Sequence, residues 1–180
     1  MYLLTQTKPL PKILNLSEIK YYAFSLAFTA AAVSLPWLLH QFKLAGPEFL
    51  PMHFFILTAG FLFGWKTGIM VGVLSPLMSY GLTHLPPLAI LSEVMVELAV
   101  YGLAIGLLRE KKLNIWFSLL GAMVAGRLAR LAFVLALGFS TNPMGYFLMS
   151  WKGIVLQITL IPILIFFIQR FLSKNDERTV

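Results

Sequence analysis

The chain contains no cysteine, which excludes disulfides, thiolate metal sites and a cysteine nucleophile. Charge is almost as scarce: 12% of the residues are Asp, Glu, Lys or Arg, and only seven of the 180 are acidic. No hydrophilic domain interrupts the chain, whose longest polar pieces are its two ends and the short stretches 41–48 and 140–145. Any function must therefore reside in apolar segments or in the short links between them. The apparatus for nucleotide chemistry is missing as well. The run Gly60-Phe61-Leu62-Phe63-Gly64-Trp65-Lys66-Thr67 is no phosphate-binding loop, which needs four residues between its glycines and a lysine directly after the second. Gly-x-Ser-x-Gly, His-Glu-x-x-His and paired-aspartate motifs do not occur either. The first twenty residues hold Lys8, Lys12, Lys20, Pro9 and Pro11 but no apolar core ending in a small-residue cleavage site. No cleavable signal is expected, and the N-terminus should stay inside.

What the chain has in abundance is apolar surface. Hydrophobic residues make up 59% of it and the mean hydropathy is +0.84, values that make a bilayer rather than water its main solvent. A helix crosses a bilayer with about 20 apolar residues, or somewhat fewer if its ends snorkel. Six segments qualify, at 21–39, 50–63, 67–82, 88–108, 115–138 and 147–171. The second and third are short and meet at Gly64-Trp65-Lys66. A single kinked element through 50–82 would leave five spans, but it would place Lys66 at mid-membrane, where a charge is expensive; at a turn it is an ordinary anchor. With the N-terminus inside, the inner loops and tail carry Lys66, Arg109, Lys111, Lys112, Arg170, Lys174 and Arg178. The outer loops carry Lys43, with Lys152 just within the last span. This asymmetry also accounts for the net charge of +7 without nucleic acid, for which no solvated basic face exists. The expected fold is an all-α integral membrane protein of about six transmembrane helices with both termini cytoplasmic. It forms one membrane domain over 1–180, with a cytoplasmic segment 1–19, a bundle 20–172 and a tail 173–180.

Small residues recur every fourth position: Ala23, Ala27 and Ala31 in span one, Gly60, Gly64, Gly68 and Gly72 across spans two and three, and Gly102 and Gly106 in span four. Such stripes let a second helix backbone approach closely. The glycines are expected to be packing faces, with Gly64 also serving the turn, whereas the alanines suit either internal packing or a partner helix.

Span four contains Glu93 and Glu97, and span five Arg127 and Arg130, each pair sharing one helix face. Counted from the hairpin loop near residue 111, Glu97 and Arg127 lie about 15 residues away and Glu93 and Arg130 about 18, so each pair falls at one depth. An unpaired charge in hydrocarbon costs roughly 2.5–3.5 kcal/mol or more on insertion scales, so mutual pairing is the minimal explanation. The deeper Glu97–Arg127 pair reads as a structural ion pair. The outer Glu93–Arg130 pair could exchange a partner for a solute, and Trp151 with Lys152 could clamp an anionic one. His53 follows Leu50-Pro51-Met52 at the start of span two and suits a pocket wall or a packing role, while His40 and His84 lie near the same membrane side. No pair of histidines has ligand spacing on one helix, so neither a metal nor a cofactor is expected.

These features resemble the substrate-binding S components of energy-coupling-factor (ECF) transporters, importers of vitamins and related micronutrients. The resemblance covers about residues 20–172. It rests on six short spans, the Ala23/Ala27/Ala31 stripe, and a central block of Leu50-Pro51-Met52-His53, Gly60, Gly64, Gly72, Ser75-Pro76-Leu77, Pro86-Pro87-Leu88 and Glu97-Leu98-Ala99-Val100-Tyr101-Gly102. It implies a six-helix subunit that captures its solute near the outer surface. That subunit docks its alanine face on a membrane coupling subunit, is driven by two cytosolic ATPase subunits, and delivers the solute by toppling in the bilayer. The site residues expected from the combined reading are His53, Glu93, Arg130, Asn142, Trp151 and Lys152, in a pocket between spans two and four to six. Three cations against two carboxylates there favour an anionic solute. The rival readings are an intramembrane enzyme using Glu93 and Glu97 with Arg127 and His53, and a stand-alone secondary transporter.

Overall fold

The computed structural model describes residues 10–11, 13–41, 49–137, 145 and 149–176, with side chains described up to residue 170. The described residues form six helices and no strand: α1 (Ile19–Gln41), α2 (Pro51–Phe63), α3 (Trp65–Thr83), α4 (Leu88–Glu110), α5 (Ile115–Leu137) and α6 (Trp151–Asp176). In hydrocarbon every backbone polar group must be satisfied within its own segment, so apolar runs of this length become helices. Four of them, α1, α4, α5 and α6, are long and apolar enough to cross a membrane, and α2 is a shorter apolar helix. The polar and small residues of α3 explain its weaker apolar signal: Thr67, Gly68, Gly72, Ser75 and Ser79 are buried against neighbouring helices. The sixth helix is described from Trp151, so its expected start at residue 147 lies outside the described residues.

The helices run up and down between two ends, named here after Leu50 and Gly64. At the Gly64 end α2 passes into α3 through one residue. Gly64 has φ +95°, its N–H donates to the Gly60 carbonyl (2.9 Å), and its own carbonyl accepts from Gly68 N–H (3.1 Å). Only a residue without a Cβ holds that conformation without strain, and a Cβ there would lie 2.7 Å from Ile13 Cγ2. The turn is thus tighter than the expected Gly64-Trp65-Lys66, and Lys66 lies in the first turn of α3.

The core is built on α4. A Cβ on Gly68 would lie 2.3 Å from the Gly102 carbonyl oxygen, and one on Gly72 would lie 2.5 Å from that of Leu98. The α3 and α4 backbones therefore touch, which only a shared row of small residues permits. Ile56, Leu57, Phe61, Leu98, Tyr101 and Ile105 fill the space around this crossing.

Two further placements were not foreseen. Residues 10, 11 and 13–15 lie across the Gly64 end, where Leu14 is buried and its N–H donates to the Phe63 carbonyl (3.0 Å). Arg109, expected as a loop charge, is buried and its guanidinium donates to the Pro11 carbonyl. A carbonyl laid over an apolar helix end needs a donor, and Arg109 is long enough to supply one.

Candidate functional site

The charges of α4 and α5 meet as one cluster rather than two separate pairs. Arg127 Nε lies 3.2 Å from Glu97 Oε1, and Arg130 Nη2 lies 3.1 Å from Glu93 Oε2. In addition, Arg130 Nη1 donates to Glu97 Oε2 at 3.0 Å, so Arg130 bridges both carboxylates. Tyr101, one turn beyond Glu97, donates its hydroxyl to Glu97 Oε1 (3.1 Å), and Arg127 Nη2 donates to Ser150 Oγ at 2.8 Å. Local packing explains the fit: a Cβ on Gly126 would lie 2.3 Å from Tyr101 Cδ1 and 3.0 Å from the Glu97 carbonyl oxygen. With no side chain at Gly126, α5 comes close enough for its arginines to reach α4. Arg127 is the more accessible of the two, its side chain 12% exposed against 5% for Arg130, which reverses the order inferred from depth. Depth counting measures position along a helix but not how far a guanidinium reaches sideways.

Beside this cluster, at the Leu50 end, lies a cavity of about 420 Å³ between α1, α2, α3, the α3–α4 link and α4. Its walls include Trp37, Leu50, Met52, Leu85, Ile90 and Val94, and its polar groups are His40, Gln41, His53, Ser79 and Thr83. Leu50 holds the left-handed conformation (φ +47°) just before α2. For a bulky residue this is an outlier that its surroundings must enforce. The Leu50 carbonyl accepts from His53 N–H (3.1 Å) and from Gln157 Nε2 of α6 (3.2 Å). These two bonds set the first turn of α2 and turn His53 toward the cavity. His53 is 3% exposed, and its ring packs edge-on to Tyr101 with centroids 5.2 Å apart. Its Nε2 lies 3.7 Å from Glu97 Oε1, so His53 separates cavity from cluster.

A half-open cavity lined by apolar walls and a few polar groups, at one end of a bundle of apolar helices, suits the capture of a small molecule. The family described as ECF transporter, substrate-specific component, matches residues 13–172. The chain belongs to that family. ECF substrate-specific components bind small substrates and work with membrane and ATPase modules; theirs is a family of transporter components, not of enzymes. No curated protein and no solved structure matches the chain.

Within this ECF component the expected site residues do not converge. His53 lines the cavity, but Glu93 and Arg130 are buried in the ion cluster. Trp151 is 59% exposed and Lys152 is exposed too, its ammonium 5.8 Å from the centroid of the Phe49 ring. Asn142 lies outside the described residues. The cavity itself sits between α1 and α4 rather than between spans two and four to six, because the α4 carboxylates turn to α5 and the arginines fill that interface. Ser79, Thr83 and Trp37 carried no motif in the sequence. Gln157 did carry a signal that went unread, an amide in the middle of an apolar run, as did Tyr101, four residues after Glu97 and so on its face. Among the described residues no three His, Asp or Glu side chains are grouped as a metal would require.

Proposed function

We propose that the chain is the solute-capturing subunit of an importer for a vitamin or related micronutrient in a prokaryotic plasma membrane. The cavity at the Leu50 end is its binding site. The observation that carries this reading is that cavity, with buried His53 on its wall. Lys20, Lys66, Arg109, Lys111, Lys112 and Arg170 all lie at the opposite end, while Lys152 is at the Leu50 end, so the positive-inside rule turns the cavity outward and both termini inward. The solute enters from outside and is delivered when the subunit engages a membrane coupling protein driven by two separate ATPase subunits. Ala23 and Ala27 support such docking. Both are exposed on α1, Ala31 is half-buried, and the face that α1 turns to its own bundle is formed by Tyr21, Ser25, Thr29, Ala32 and Val33. The stripe is therefore free to receive another helix backbone.

Two measurements test this reading. The purified chain should bind a micronutrient at equilibrium without turning over ATP. Ala27→Leu should leave that binding intact while abolishing uptake in cells that carry the coupling proteins, because a bulky side chain there holds a partner backbone away without reaching the cavity. Loss of binding with uptake machinery still assembled would assign the stripe to the bundle instead.

A further inference from the structure

On the reading that the cavity captures the solute, the chemistry of its wall restricts what that solute is. None of the fifteen described residues around it is Asp, Glu, Lys or Arg. Among the described residues the charges behind the wall face one another, Glu93 and Glu97 against Arg127 and Arg130. A charged group seated against these described residues would give up water and meet no counterion among them. Insertion scales put that penalty at a level that weakens binding roughly a hundredfold.

The polar groups of the wall point the same way. Thr83 Oγ1 donates to the Ser79 carbonyl (2.7 Å) and accepts from Leu85 N–H (3.3 Å). His40 and Gln41 are exposed. His53 differs from these in being buried with neither Nδ1 nor Nε2 hydrogen-bonded. Glu97 Oε1, 3.7 Å away, is too distant to bond it and instead accepts from Tyr101. A neutral imidazole offers one donor and one acceptor, and a buried polar group without a partner is destabilising until something supplies one. We infer that the solute is an uncharged, largely apolar molecule that sets one amide, hydroxyl or ring-nitrogen group against His53. The anionic solute expected from the count of cations is thereby replaced, since Arg130 is occupied by two carboxylates and Lys152 lies on the surface.

The test uses the full purified chain and matched pairs of compounds that differ only in charge: nicotinamide and nicotinate, pantothenol and pantothenate, lipoamide and lipoate. Equilibrium binding is measured for each, and any molecule that co-purifies is identified by mass spectrometry. In every pair that binds, the neutral member should bind roughly a hundredfold more tightly, and a co-purified molecule should be uncharged at neutral pH. His53→Phe should weaken that binding about tenfold or more, while His53→Gln, which keeps a donor and an acceptor, should retain most of it. An anion that binds more tightly than its neutral partner overturns the inference, as does a folded His53→Phe protein that binds unchanged. A cavity-filling substitution, Val94→Trp, separates this failure from failure of the site itself. If a folded Val94→Trp protein binds as before, the cavity is not the site. If it loses binding while anions are preferred, the cavity stands and the solute class falls. If no pair binds and nothing co-purifies, the capture reading falls and the solute class with it.

Discussion

Helix α4 solves the problem of association in a membrane differently on its two faces. Toward α3 it presents Gly102 and Gly106, and the backbones meet with no side chain between them. Toward α5 it presents Glu93, Glu97 and Tyr101, and the contact is made by charge and hydrogen bonds. Lipid tails are as apolar as any side chain, so hydrophobic burial does not drive helices together there; close packing and polar bonding are what remain. The two faces should fail in different ways. Close packing tolerates no added atom, whereas a charge network can lose a member if the others cover for it.

The largest effect is expected on the packed face. Gly68→Leu should prevent assembly of the bundle, because its Cβ alone would overlap the Gly102 carbonyl and backbone has no other rotamer to adopt. The check is whether the detergent-solubilised protein still elutes as one sharp species. A monodisperse, stable Gly68→Leu protein would show that α3 and α4 can separate, which the packing forbids.

On the charged face Arg130→Ala should be the most damaging change. It strips the guanidinium from Glu93 and one of those from Glu97, both fully buried. The cost of an orphaned buried charge is roughly 3–5 kcal/mol, read as a lower thermal midpoint, and adding Glu93→Gln should recover part of it. Arg127→Ala should cost less, roughly 1–3 kcal/mol, since Glu97 keeps Arg130 and Tyr101. Equal destabilisation by the two single changes would show that the cluster behaves as two independent pairs. Tyr101→Phe should be milder still, about 1 kcal/mol, because the ring keeps its seat against Gly126 and only the bond to Glu97 is lost. Thermal unfolding of all three in one detergent ranks them.

The number of helices, their order and the depth of each charge follow from the sequence, because a bilayer makes long apolar runs helical and residue count becomes height. Glu97 and Arg127, and Glu93 and Arg130, could be levelled by counting alone, and the glycine rows already marked where backbones touch. The rotation of each helix about its axis was decided only in the tertiary structure. Hydrophobic periodicity normally reports rotation, but here lipid and core are both apolar and the signal disappears. Consequently the sequence left open whether Ala23 and Ala27 face inward, and it did not indicate that Arg130 spans two carboxylates, that Arg109 turns in to hold Pro11, or that Gln157 reaches Leu50. The cavity was beyond it for the same reason. Trp37, His53, Thr83 and Val94 come from four helices and share a wall only once all four rotations are set.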